Sequence, residues 1–155
     1  MAAGKIVDLR KLRAERFPQE PLPAAARLPT GLAGFDQTLG GGLAKGAITE
    51  LSSAPPHAGS ATLFAGLLER AGREKYFIAL LDGHDSFDPA AVSRAALRHL
   101  LWVRCHQASE ALQAADLLLR DGNFPLVVLD LMLNPATELR RILKNNWYRL
   151  QRLVE

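Results

Sequence analysis

Ala47-Ile48-Thr49-Glu50-Leu51 leads into Ala54-Pro55-Pro56-His57-Ala58-Gly59-Ser60-Ala61, and Thr62-Leu63-Phe64-Ala65-Gly66-Leu67-Leu68 leads out. An apolar run, a short loop and an apolar helical run reproduce the layout of a strand, a phosphate-binding loop and a helix. The loop pattern is G-x-x-x-x-G-K-[ST]. Here Ala54 stands at the first glycine and Gly59 holds the second, while Ser60 replaces the lysine and Ala61 the magnesium-binding hydroxyl. Such a loop cradles anions with successive backbone N–H groups and a lysine charge. Pro55 and Pro56 have no N–H to offer, Ser60 has no charge, and Ala61 cannot bind magnesium. The frame of a nucleotide-binding fold is expected to remain without its chemistry: no cofactor and no catalytic residue.

The chain has 155 residues, enough for one domain with a real core. With 48% apolar and 23% charged residues it reads as globular and not as a disordered segment. Its apolar runs fall far short of a membrane span. Met1-Ala2-Ala3-Gly4-Lys5-Ile6-Val7-Asp8 carries charge where a signal peptide needs an apolar core, so a cytoplasmic protein without membrane contact is expected. The single cysteine, Cys105, permits no internal disulfide. The four histidines, His57, His84, His99 and His106, do not cluster with other ligands at metal spacing, and no metal is expected.

Charge is unevenly spread. Residues 1–30 hold six basic and three acidic side chains, and residues 135–155 hold five and two. The stretch between them is net acidic by three. Two basic ends suit a protein that works near nucleic acid, and equally suit two solvated faces.

Lys5 to Phe17 reads as an amphipathic helix with Ile6, Leu9, Leu12 and Phe17 on the side to be buried. Pro18-Gln19-Glu20-Pro21-Leu22-Pro23 stops it and continues as an extended linker. Residues 1–27 are thus an N-terminal helical arm with a Pro-rich linker, and residues 28–155 are the core. In the core, Thr30 is a candidate cap for a short helix through Phe35 and Leu39, which Gly40-Gly41-Gly42 ends. Four apolar strand candidates come next, at 47–53, 76–81, 100–104 and 126–131, separated by helices at about 61–72, 89–98 and 107–121. The alternation predicts an α/β fold with a mostly parallel sheet and helices on both faces. Pro135 to Glu155 reads as one long helix with Leu139, Ile142, Leu143, Trp147, Leu150, Leu153 and Val154 on its apolar stripe. No strand comes after it, so the core is expected to be incomplete at its C-terminal end.

The run from Leu28-Pro29-Thr30-Gly31 through Phe35-Asp36 and Gly40-Gly41-Gly42 to Leu51 resembles the start of the ATPase core of the RecA recombinases. That family has a threonine–glycine, an apolar–aspartate pair, a glycine cluster and then a strand into the phosphate loop. Leu80-Leu81-Asp82-Gly83-His84-Asp85-Ser86-Phe87-Asp88-Pro89 is similar to the segment that carries the family's catalytic glutamate, which His84 replaces. Leu126-Val127-Val128-Leu129-Asp130 looks like the Walker B strand, with Asp130 as the remnant metal-side carboxylate. The resemblance covers about residues 28–131 and implies a RecA-like sheet.

Two families use a RecA-like frame without the ATPase. The stretch Leu28–Leu51 and the later Glu138-Leu139-Arg140-Arg141-Ile142-Leu143 look most like ImuA, the accessory protein of a damage-inducible mutagenesis cassette. The short length looks more like SulA, the division inhibitor that binds FtsZ. The resemblance therefore implies a non-catalytic accessory protein of the SOS response that scaffolds translesion synthesis, with an ImuB-like polymerase subunit or RecA as partner. The alternatives are a SulA-like inhibitor, and a weak nucleotide-binding enzyme using Gly59, Thr62 and Asp130. On the last helix Arg141, Lys144, Tyr148 and Arg152 fall on one stripe and are the expected partner contact, with a weak nucleic-acid contact as the lesser reading. Ile6, Leu9, Leu12 and Phe17 are the contact expected of the arm, folded on its own core or on a neighbouring subunit. The sequence leaves the oligomeric state open.

Overall fold

The structure, a computed structural model, describes residues 27–52 and 59–155. The arm with Ile6, Leu9, Leu12 and Phe17, the linker, and the loop positions Ala54 to Ala58 lie outside the described residues.

The described chain opens with a small antiparallel pair, β1 (Arg27–Leu28) and β2 (Leu43–Ala44), with helix α1 (Ala33–Thr38) between them. Thr30 does not cap α1. Its backbone N and its hydroxyl both donate to Asp36 Oδ1, at 2.7 and 2.8 Å, and Gly31 N donates to Oδ2 at 3.2 Å. The threonine–glycine and the aspartate of the sequence pattern are therefore one hydrogen-bonded unit. Gly42 closes the turn with φ 124°, and a Cβ there would run into the Leu28 carbonyl. Only glycine fits.

The main sheet has three parallel strands: β3 (Ile78–Asp82), β4 (Leu100–Arg104) and β5 (Leu126–Asp130), in the order β4-β3-β5. Helix α2 (Ser60–Glu74) precedes β3. A 3-10 turn (Pro89–Ala91) and α3 (Arg94–Leu97) connect β3 to β4, and α4 (Ala108–Asp121) connects β4 to β5. Alternate strand residues face opposite layers. Ile78, Leu100, Leu126 and Val128 pack against Leu67, Leu68 and Ala71 of α2 and Ala96 of α3. Leu81, Val103, Val127 and Leu129 pack against Ala111, Leu112 and Ala115 of α4 and Leu150 of the last helix. The α/β sheet with helices on both faces is as expected. β3 is buried along its whole length, whereas β5, paired only through β3, is half-buried throughout.

Three further expectations need correction. Residues 47–52 form no strand and are exposed. A strand needs a neighbour to take its backbone groups, and for Ile48 N the partner is the side chain of Gln151, at 3.3 Å. The helix at 89–98 is split, because Ser93 is extended and its hydroxyl accepts from Ala96 N at 3.2 Å, starting a fresh helix. The long final helix is also split, into α5 (Ala136–Leu139) and α6 (Lys144–Val154). Leu143, at φ −71° and ψ 143°, is extended and restarts the chain. The break lets Ile142 and the α6 residues Leu150 and Leu153 all reach the α4 side of the core.

Candidate functional site

In an open parallel sheet, ligands lie beyond the carboxyl ends of the strands, where successive connections leave in opposite directions. In the order β4-β3-β5 that point lies between β3 and β5, at Asp82 and Asp130. The loops after these strands and the start of α2 define the candidate site.

Asp82 ends β3 and is 1% exposed. Its Oδ1 accepts from Ser86 N (2.9 Å), Ser86 Oγ (3.2 Å) and His84 N (3.3 Å), and its Oδ2 from Phe87 N (2.8 Å) and Trp102 Nε1 (3.2 Å). Burial pushes this carboxyl up, but the backbone donors of Ser86, Phe87 and His84 with the Trp102 indole outweigh it, and the net shift is downward. Asp82 is thus an ionised hub that shapes the loop after β3.

The loop is held from outside as well. The Phe87 ring stands edge-on between Phe64 of α2 and Trp102 of β4, with centroids 5.3 and 5.2 Å away. Asp85, at φ 52°, takes a bidentate pair from Arg104 Nε (2.6 Å) and Nη2 (2.5 Å), and the guanidinium lies 5.0 Å from the Trp102 ring centroid. Arg104 holds the Asp85 carboxyl below its usual range.

The crevice between β3 and β5 is filled at its floor. Gly83 N donates to Asp130 O at 2.9 Å, and Asn134 Nδ2 donates to Gly83 O at 2.8 Å. A Cβ on Gly83 would meet Asn134 Oδ1, with Leu131 Cδ2 at 2.9 Å and Asp130 O at 3.0 Å. Asn134 is 5% exposed and also donates to Glu138 Oε2 at 3.1 Å, which accepts from Ala108 N at the start of α4 (3.0 Å). One buried asparagine therefore ties the loops after β3 and β5 to α4 and α5.

The residues expected from the sequence are spread over several parts of the fold. Gly59, at φ 106°, starts α2, and Ser60, Ala61 and Thr62 lie exposed in its first turn. His84 is exposed on the Asp82-centred loop. Asp130 is half-buried and its Oδ1 accepts from Met132 N at 3.0 Å. Lys144, Tyr148 and Arg152 share one exposed stripe of α6, with Tyr148 68% exposed. Arg141 does not continue that stripe. It lies in the break before α6 and lines a cleft of about 450 Å³ between α4 and the last two helices. The hub at Asp82, the Asn134 tie and the Asp85–Arg104 pair escape a reading of the sequence. The signal present is the turn-forming run Asp82-Gly83-His84-Asp85-Ser86, whose short polar side chains bond to nearby backbone. Among the described residues no group of acidic, histidine or cysteine side chains is arranged to hold a metal, and no helix is long and apolar enough to cross a membrane.

No family model matches the sequence. Among known proteins, the chain is similar to protein RecA of Bifidobacterium breve, 30% identical over 120 residues, or 76% of this chain and 30% of that protein. It is 33% identical to protein RecA of Clavibacter michiganensis subsp. michiganensis over 114 residues, 72% of this chain and 31% of that one. For protein RecA of Teredinibacter turnerae the values are 30% over 129 residues, 80% of this chain and 37% of that one. The chain spans about a third of the length of the curated relatives it matches. These matches, together with the parallel sheet covered on both faces, relate the chain to RecA.

Proposed function

We propose that this chain is a non-catalytic RecA-like accessory protein of the DNA-damage response, most like ImuA, that scaffolds error-prone translesion synthesis through protein contacts and has no nucleotide cycle. The residue types at the strand ends and at the start of α2 support this reading. Nucleotide chemistry on such a sheet needs open space beyond the strand ends, a cationic loop and a free carboxylate to orient water. Here Gly83, Asn134 and the Asp130 carbonyl pack together at the crevice floor, and the carboxylate of Asp82 is taken up by its own loop. Ser60 and Ala61, in the first turn of α2, stand at the lysine and hydroxyl positions of the phosphate-loop pattern.

The exposed side of α6 supplies the contact. Lys144 and Arg152 flank Tyr148, and none of the three has an ion-pair or hydrogen-bond partner among the described residues. Cations around a solvent-facing aromatic suit a protein interface. The partner of choice is an ImuB-like polymerase subunit or RecA.

Two measurements test the proposal. Magnesium ATP at millimolar concentration is expected to leave the melting temperature unchanged; a saturable rise would mean that nucleotide binds the folded state and would favour the weak nucleotide-binding enzyme. Capture from extracts of DNA-damaged cells is expected to recover ImuB or RecA, and the Arg141→Glu, Lys144→Glu, Arg152→Glu variant to lose it. Recovery of FtsZ instead would move the protein to division control.

A further inference from the structure

Residues 31–134 hold eight basic and eleven acidic side chains, so this stretch reads as acidic. Five of those eight basic residues nevertheless lie on two neighbouring helices or at their ends, and two of them, Arg73 and Arg98, line one cleft. Arg70, Arg73 and Lys75 come from the C-terminal end of α2, and Arg94 and Arg98 from the two ends of α3. α2 and α3 pack closely, with a Cβ on Gly72 lying only 3.6 Å from Ala96 Cα. Beside this contact is a cleft of about 360 Å³ lined by Glu69, Gly72, Arg73, Ala95, Arg98 and His99. It lies at the amino end of β3 and β4, since His99 immediately precedes β4, and so at the opposite end of the sheet from the crevice at Asp82 and Asp130.

Most of these charges have no ion-pair partner among the described residues. Arg70 is paired with Glu74, but Arg73, Lys75, Arg94 and Arg98 have no ion-pair partner among the described residues. The His99 ring is fixed by Nδ1, which lies 3.0 Å from Tyr76 O; because a carbonyl only accepts, Nδ1 carries the proton there and Nε2 is left to the cleft side. The Phe77 ring lies against the ring of His99, with centroids 5.4 Å apart, and is 51% exposed, an apolar platform next to that lining residue.

We infer that the cleft between α2 and α3 is a docking site for an acidic peptide segment of a partner protein, with its carboxylates on Arg73 and Arg98 and an apolar side chain on Phe77. Arginine and aromatic side chains are the groups enriched at protein interfaces, and the guanidinium matches a carboxylate in a bidentate fork. Two features favour a peptide over a nucleic-acid strand. A phosphodiester chain needs cations tracking an extended groove, whereas here two, Arg73 and Arg98, line one short cleft with small-residue walls. Glu69 stands in the wall as an acceptor. A peptide has backbone N–H groups to offer it, and a phosphodiester backbone has none. This surface is separate from the α6 stripe, so either can fail without the other.

The test is a titration of the 15N-labelled full chain with an acetylated hexapeptide of four glutamates, one phenylalanine and one leucine. Amide shifts are expected to move at Arg73 to Phe77 and at Ala95 to His99. The same hexapeptide with glutamine for glutamate should leave them in place. Arg98→Glu and, separately, Arg73→Gln should each weaken binding by roughly twofold to fivefold, the range for one exposed ion pair, in a spectrum whose dispersion shows that the variant is folded. Equal response to the glutamine peptide, no shifts, or shifts confined to α6 would overturn the inference. So would a larger response at these amides to a single-stranded twelve-residue oligothymidylate, which would make the cleft a nucleic-acid site.

Discussion

Asp82 and Asp130 end neighbouring parallel strands at the same register, each placed after an apolar run that closes on leucine. Asp82 is buried under five donors. Asp130 is half-buried, and its carboxylate accepts from a backbone amide two positions on. The difference between them comes from the path of the next few residues and from the strand alongside. After Asp82 the backbone turns back so that the amides of His84, Ser86 and Phe87 converge on the carboxylate, and Trp102 on the adjacent edge strand adds an indole N–H. After Asp130 the chain leaves toward Asn134 and α5, and the aspartate's backbone carbonyl, not its side chain, receives Gly83 N. One carboxylate organises structure, and the other remains the freer group at the crevice.

The comparison breaks most readily at Asp82. Asp82→Ala removes a buried carboxylate and leaves its part-buried donors unmet, and is expected to cost about 3 kcal/mol, read by urea unfolding. Its pH dependence has a definite sign. A carboxyl whose pKa is lower in the folded than in the unfolded chain adds stability above the unfolded value and loses it as pH falls through the folded one. Wild-type stability should therefore fall steeply below about pH 4, and Asp82→Ala should flatten that fall. A variant as acid-sensitive as the wild type would remove Asp82 from its place as hub.

Gly83→Ala comes next. The added methyl must displace Asn134, Leu131 or the Asp130 carbonyl, and overpacking of this kind is expected to cost about 2 kcal/mol. In an Asn134→Ala background the same change should cost less, since the two residues compete for the same space, and a double-mutant cycle measures the coupling. Strict additivity would mean that the crevice floor is softer than its contacts show. Trp102→Phe removes one donor to Asp82 while keeping a ring for Phe87 to meet, and about 1 kcal/mol is expected.

Much of the frame was legible in the sequence, because burial on both faces demands apolar runs. Ile78 to Leu81, Leu100 to Val103 and Leu126 to Leu129 announce their strands directly, and the Ala108, Ala111, Leu112, Ala115 spacing announces the buried face of α4. Residues 47–52 carry a similar signal and form no strand, because a strand also needs an edge beside it, which composition does not encode. The split at Leu143 was hidden for a related reason. The apolar stripe runs on at helical spacing, and only the fit of Ile142 and Leu150 to one core reveals the break. In the segment around α1, the residue pattern of Thr30, Gly31 and Asp36 stands in the sequence, while their shared hydrogen bonds belong to the fold. Asp82 and Asp130 looked alike because their difference lies in loop geometry and in Trp102, twenty residues away.

Asp130→Ala is the smallest expected effect and sharpens the comparison most. Its carboxylate gives up the hydrogen bond from Met132 N, an exposed backbone amide that water can serve instead. The change should fall within about 0.5 kcal/mol, as for substitutions away from buried polar networks. The Gly83 N bond to the Asp130 carbonyl is main-chain and survives the substitution, so the contact at the crevice floor should remain. A loss approaching that of Asp82→Ala would show that the two strand ends share one electrostatic unit, with Asp130 supporting the β3 loop through Gly83. A gain in stability would point the other way: a carboxylate kept beside the crevice at a cost to folding is the behaviour expected of a group retained for binding.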